Sequence, residues 1–178
     1  IRDRFRSIGV NRTDFLSLIQ MRPGMEKDCN ILEWVAFASN AFNVLVPFYA
    51  TIDTTPDYFS STTREVTTDS FYWVSRMIGA MADASYSKSI FHIERYQERV
   101  MSKGHEYINQ YDELLEKESN AEKRMQLRQE ANKKIADMVK KETQDTLNKV
   151  LYELSNQMKN AYSRSDASVS YTHLTLPT

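Results

Sequence analysis

The stretch Leu32 to Tyr58, LEWVAFASNAFNVLVPFYATIDTTPDY, decides how this chain is read. Two apolar runs flank a small polar turn at Ser39-Asn40-Ala41, with Asn43 just beyond it. Leu32 to Ala38 and Val44 to Tyr49 are rich in Val, Phe, Trp and Tyr, so both are expected as buried strands. Pro47 removes a ladder donor, which places the second at an edge, a bulge or a strand end. The polar turn then becomes an elbow that can present side chains to a pocket.

Working outward, Phe15 to Met21 (FLSLIQM) reads as a further strand. Leu16, Leu18 and Gln20 fall on one face and Phe15, Ser17, Ile19 and Met21 on the other. Arg22-Pro23-Gly24 ends it. Thr51 to Thr68 is a polar connection containing Pro56, and Thr67, Thr68 and Asp69 supply caps for a helix start. Phe71, Val74, Met77, Ile78, Met81 and Ala82 then recur at helical steps. Gly79 within this helix is expected to permit close packing.

Two longer amphipathic stretches follow. The first carries Ile93, Tyr96, Val100, Tyr107, Ile108, Tyr111, Leu114 and Leu115, with a bend expected at Gly104. Ser119-Asn120 reads as the break and the next N-cap. The second runs from Leu127 through Ile135, Val139, Leu147 and Val150 to about Arg164. A short connection makes the pair an antiparallel hairpin. One hairpin buries one stripe, so Tyr96, Tyr107, Tyr111 and Met125 are expected to face another surface, either the rest of the protein's core or a second subunit, with assembly favoured. The fold class is therefore α+β: a few antiparallel strands, a short helix and a long antiparallel helical hairpin.

Composition sets outer bounds. The chain has 178 residues, is 41% hydrophobic and 26% charged, and carries a net charge of −1. That length suffices for one core. The charge balance gives no electrostatic argument for nucleic acid or for an anionic membrane. No apolar run approaches the roughly 20 residues of a membrane helix. Lys133-Lys134 and Lys140-Lys141 are interleaved with Glu130, Asp137, Glu142 and Asp145, which reads as a solvated helix face.

Residues that could carry chemistry are few. Cys29, the only cysteine, excludes an internal disulfide and is compatible with a cytoplasmic location. It sits in a polar loop with no His nearby in sequence, and is expected to be a plain or semi-buried thiol. His92 and His105 do not share a helix face and complete no HExxH pattern, so no metal site is expected. No glycine-rich phosphate loop exists. Asn40 and Asn43 could offer amides to an oxyanion or simply satisfy the turn backbone. Arg12 could hold a peptide carboxylate bidentately, or lie on the surface.

Five segments carry a resemblance: Phe5-Arg6-Ser7-Ile8-Gly9-Val10-Asn11-Arg12, Trp34-Val35-Ala36-Phe37, Asn40-Ala41-Phe42-Asn43, Val46-Pro47-Phe48-Tyr49 and Phe71-Tyr72-Trp73. Together they resemble the C-terminal region of the family C69 dipeptidases, bacterial cysteine peptidases of the N-terminal-nucleophile hydrolase superfamily. The resemblance implies the C-terminal part of an αββα sandwich that hydrolyses dipeptides in the cytoplasm without a cofactor or metal. Arg12, Asn40 and Asn43 are the substrate-binding candidates, and the long helical arm is expected to serve homo-oligomeric assembly of the full-length enzyme. The resemblance also implies that the nucleophilic cysteine, which stands at a mature N-terminus, is absent here; Cys29 is internal. Residues 1–167 are expected to form the dipeptidase portion, with strands from about 5 to 50 and helices from about 69 to 164. Residues 168–178 read as translated sequencing-adapter read-through. The competing expectation is a non-catalytic helical module for assembly.

Overall fold

The computed structural model describes residue 10 and residues 13–158. Three strands come first, β1 (Phe15–Met21), β2 (Ile31–Phe37) and β3 (Val46–Tyr49). Four helices follow, α1 (Asp57–Ser60), α2 (Phe71–Ala84), α3 (Tyr86–Lys117) and α4 (Ala121–Ser155). The strands form an antiparallel sheet in the order β1-β2-β3. Leu18 lies opposite Trp34, and Trp34 opposite Pro47, so these three share a face. The α+β class and the strand-helix order agree with the sequence. The second buried strand starts at Val46 rather than Val44, and the connection 51–68 contains the short helix α1, which the sequence reading missed.

One face of the sheet packs on the long helices. Leu32, Trp34 and Ala36 are buried there, and the Trp34 ring lies 5.0 Å from the His105 ring of α3. Tyr49 donates from its hydroxyl to Asp112 Oδ1 of α3 at 2.8 Å. The outer edge of β3 is closed. Pro47 has no N–H to offer, and the Tyr49 N–H donates to Asn132 Oδ1 of α4 at 2.9 Å. The Asn132 amide in turn donates to the Tyr49 carbonyl at 3.0 Å. The edge of β1 is different. Phe15, Ile19 and Met21, on the face away from the helical hairpin, are 53%, 57% and 77% exposed, and Leu18 on the other face is half exposed.

Helices α3 and α4 form the antiparallel hairpin. Its turn is set by Asn120, whose Oδ1 accepts from the Lys123 N–H at 3.0 Å, an N-cap that satisfies an otherwise orphaned donor. The stripe Ile93, Val100, Ile108, Leu115 meets Ile135, Val139 and Val150 in the core. Burial of each such side chain contributes about 1.5–3 kcal/mol. Tyr96 and Tyr111 are buried as well, and Tyr107 and Met125 are half-buried. Of the two surfaces expected, the core inside the chain takes Tyr96 and Tyr111, so contact with another subunit is corrected for these two: the sheet and the neighbouring helices cover them. Ser70 occupies the N-cap position of helix α2, with no side-chain cap from it. Ahead of it, the Asp69 N–H donates to Thr67 Oγ1 at 3.1 Å. Helix α4 ends at Ser155; residues 159–164, expected to continue it, and residues 168–178 lie outside the described residues.

The two helical glycines differ. Helix α3 runs through Gly104 as one element, so the glycine marks close approach rather than a break. A Cβ there would stand 3.0 Å from Cγ and Cδ of Pro47. A Cβ on Gly79 would meet Phe42 at an ordinary 3.9 Å. Alanine gains about 1 kcal/mol of helix propensity at either site, whereas overpacking against the stiff, buried Pro47 ring costs about 1–3 kcal/mol. Gly79→Ala is therefore expected to raise stability in urea unfolding and Gly104→Ala to lower it. A stabilised Gly104→Ala protein would show that β3 yields at Pro47.

The loop between β1 and β2 is tied to the hairpin by charge. Arg22 pairs with Asp112. Asp28 accepts from Arg124 at 2.7 Å and from Arg128 at 2.5 Å. Both of these arginines are buried.

Candidate functional site

The elbow between β2 and β3 is built from backbone outward. Ala38 takes φ 67°, the left-handed region that costs a residue with a Cβ about 1–2 kcal/mol. Hydrogen bonds on both sides hold it there: its N–H donates to Asp14 O at 2.9 Å, and its carbonyl accepts from Asn43 Nδ2 at 2.8 Å. The Phe42 and Asn43 N–H groups both donate to Ser39 O at 3.0 Å. From α3, Gln97 Nε2 donates to Asn43 O at 2.9 Å. The elbow is thus a fixed corner.

Beside the corner lies an open hollow of about 590 Å³, with α2 as its opposite wall. Its charged lining is Asp14, Arg76 and Asp83, and Ser39 and Tyr86 also border it. Arg76 donates from Nη1 to Asp14 Oδ1 at 2.6 Å and to the Tyr72 hydroxyl at 3.3 Å. Its guanidinium stands 5.5 Å from the Tyr72 ring centre. Gly79 and Ala80 form the small-residue floor between Arg76 and Asp83. Asp83 is exposed, with no ion-pair partner among the described residues.

The residues expected from sequence are distributed as follows. Asn40 and Asn43 both sit in the elbow. Asn40 Nδ2 reaches Val10 O at 3.5 Å, and its Oδ1 is buried with no hydrogen-bond partner. Asn43 spends one amide hydrogen on Ala38 O. Arg12 lies outside the described residues. Cys29 is remote from this corner, in the loop between β1 and β2. It is 2% exposed, and burial, then the Asp28 carboxylate, pushes its thiol pKa up, so it is a poor nucleophile. The His105 ring packs tilted against Trp34, and His92 approaches Glu153 at 3.5 Å. Among the described residues, no three His, Cys, Asp or Glu side chains converge as metal ligands would. Nor is any described helix long and apolar enough to cross a membrane.

Arg76, Asp83 and Asp14 did not emerge from the sequence. Tyr72, Arg76 and Asp83 stand at i, i+4 and i+11, on one face of α2. That spacing was available, but it also describes an ordinary solvated face.

Fold and corner together define a layered α+β protein with a polar hollow at a strand elbow. Residues 1–99 match the family model described as "Peptidase family C69". The chain belongs to peptidase family C69. It is 39% identical over 162 residues to "Probable dipeptidase A" of Streptococcus pyogenes serotype M18, covering 91% of this chain and 33% of that protein. It is 32% identical to "Dipeptidase" of Bifidobacterium longum, covering 93% of this chain and 38% of that protein. With "Probable dipeptidase B" of Lactococcus lactis it shares 28% identity, over 93% of this chain and 34% of that protein. The chain spans about a third of the length of the curated relatives it matches.

Proposed function

We propose that this polypeptide is the C-terminal part of a dipeptidase, a cysteine-type hydrolase acting on dipeptides, and that residues 1–167 belong to its catalytic domain. Three relatives of the chain carry the word dipeptidase in their names. The observation that carries the reading further is the asymmetry of the sheet. Its β3 edge is sealed by Pro47 and Asn132. Its β1 edge leaves Phe15, Ile19 and Met21 bare. Exposed apolar side chains on a strand with no further partner strand among the described residues are what a sandwich needs for its second sheet. The remaining two thirds of a relative's length is the natural source of that layer.

In this reading the nucleophilic thiolate lies in the other part of the enzyme. It attacks the peptide carbonyl, the amine leaves, and water cleaves the thioester. Asn43, with a spare amide hydrogen, and Asn40 are the elbow candidates for substrate binding; Arg12, outside the described residues, is the third candidate from the sequence. The lone, buried Cys29 thiol fits a cytoplasmic enzyme. Homo-oligomeric assembly would use the end of the hairpin where Tyr86, Phe91, Leu151 and Tyr152 are exposed, rather than Tyr111. The alternative of a free-standing helical module is disfavoured by the bonds that tie α3 and α4 to the strands.

The 178-residue chain alone is expected to hydrolyse no member of a dipeptide panel. Joined in frame behind the first two thirds of the Streptococcus pyogenes relative, it is expected to restore hydrolysis. Turnover by the isolated chain that disappears in Cys29→Ala would overturn the placement of the nucleophile, and a folded, inactive fusion would sink the dipeptidase reading.

A further inference from the structure

We infer that the hollow between the elbow and α2 recognises the two charged ends of a free dipeptide, Arg76 taking the α-carboxylate and Asp83 the α-ammonium; this rests on the dipeptidase reading. The two side chains are seven residues apart on one helix, and both line the hollow. Seven residues rise about 10 Å and return to nearly the same face. Two extended residues span about 7 Å, and an ionic hydrogen bond of about 2.8 Å is added at each end. The helix rise of about 10 Å falls about 2–3 Å short of that sum of about 13 Å, a difference that the lengths of the two side chains can make up. The termini of a single amino acid are too close together to meet both charges, and those of a tripeptide are about 3.5 Å too far apart. The hollow therefore measures length as well as charge.

The charged groups are set up for these roles. Arg76 uses Nη1 on Asp14 and Tyr72, which leaves the other guanidinium donors for a carboxylate. Asp14 acts as a positioning residue: it holds the guanidinium without filling the hollow. Asp83 has no ion-pair partner among the described residues. Gly79 and Ala80 between them leave room for a peptide backbone, and the fixed elbow at Ala38 and Ser39 forms the facing wall.

The test is an amide chemical-shift titration of the isotope-labelled 178-residue chain. The probes are Ala-Ala, acetyl-Ala-Ala, Ala-Ala-amide, free alanine and tri-alanine. Ala-Ala is expected to move the amides of the elbow and of Arg76 to Asp83. Each capped dipeptide is expected to bind roughly tenfold more weakly, the loss of one charge-assisted contact. Free alanine and tri-alanine should also bind more weakly than Ala-Ala. Arg76→Gln should erase discrimination against the amide, and Asp83→Asn discrimination against the acetyl compound. Both side chains are at least partly exposed, and the same spectra report whether each variant stays folded. No shift at these residues, or equal affinity for free and capped dipeptides, would overturn the inference. The outcome is separable from that of the fusion enzyme: hydrolysis without terminus discrimination keeps the enzyme and sinks this site, and discrimination without hydrolysis does the reverse.

Discussion

Asp28→Asn is expected to lower the stability of the folded chain by about 3 kcal/mol at pH 7, the cost of breaking a buried ion pair from one side. For a domain of this size that is roughly 10 °C in Tm. Arg124 and Arg128 are both buried, and Asp28 is the carboxylate they share. Arg124 also donates to Leu115 O and Glu118 O, and Arg128 to Thr51 O. The cluster joins the β1–β2 loop, the end of α3, the start of α4 and the chain after β3. An amide in place of the carboxylate keeps the shape but leaves two buried cations facing each other. Glu26, which is mostly exposed and 3.2 Å from Arg124, offsets little of this.

The same substitution carries a pH signature. The hydrogen bond from Arg124 is the largest influence on Asp28; it and the charges of Arg128 and Arg124 outweigh burial and lower the carboxyl pKa from 3.8 to about 2. The folded value is below the unfolded one, so the stabilisation is fully present above the unfolded pKa of 3.8 and is lost as pH falls through about 2. Melts of wild type and Asp28→Asn should therefore lie far apart at pH 5 and converge towards pH 2. A gap under about 2 °C at pH 7, or one constant across this range, would remove Asp28 from the clamp.

What sequence reveals here depends on how far apart the interacting groups lie. The hairpin stripe of Val100, Ile108 and Leu115 against Ile135 and Val139 repeats at helical steps and was readable. So was the Asn120 cap, because its partner is three residues away. Pro47 restricts its strand to an edge, a bulge or a strand end by chemistry alone. Asp28 with Arg124, and Asn132 with Tyr49, are separated by 96 and 83 residues and leave no local spacing to detect. Periodicity leaves Tyr96 and Tyr111 between the core and a second subunit, because it sees one hairpin face at a time and cannot see a sheet folding over the other. Helix α1 has only four residues, too few for a period. The elbow itself was legible as a small polar break between β-rich runs. Its charged lining was not, since Arg76 meets Asp14 across 62 residues.

The sealed edge of β3 supplies the other large effect. Asn132→Leu keeps the branched shape with a somewhat larger side chain and removes both hydrogen bonds to Tyr49, which is buried. A buried N–H and a buried C=O are left without partners, at about 1–3 kcal/mol each, so the expected loss is about 4 kcal/mol. Hydrogen exchange separates this from a packing defect: the Tyr49 amide, slow in the wild type, should become one of the faster amides of the sheet. Asn132→Asp provides the sign test. Its carboxylate can still accept from the Tyr49 N–H but sets a lone pair against the Tyr49 carbonyl. Protonation restores a donor, and burial raises the carboxyl pKa, so this variant should regain stability as pH falls from 8 to 5. The wild type should not. If Asn132→Leu melts with the wild type and Tyr49 stays protected, Asn132 does not seal the edge. The sheet could then extend from β3 as readily as from β1, and the case for a second layer added only on the β1 side would fall with it.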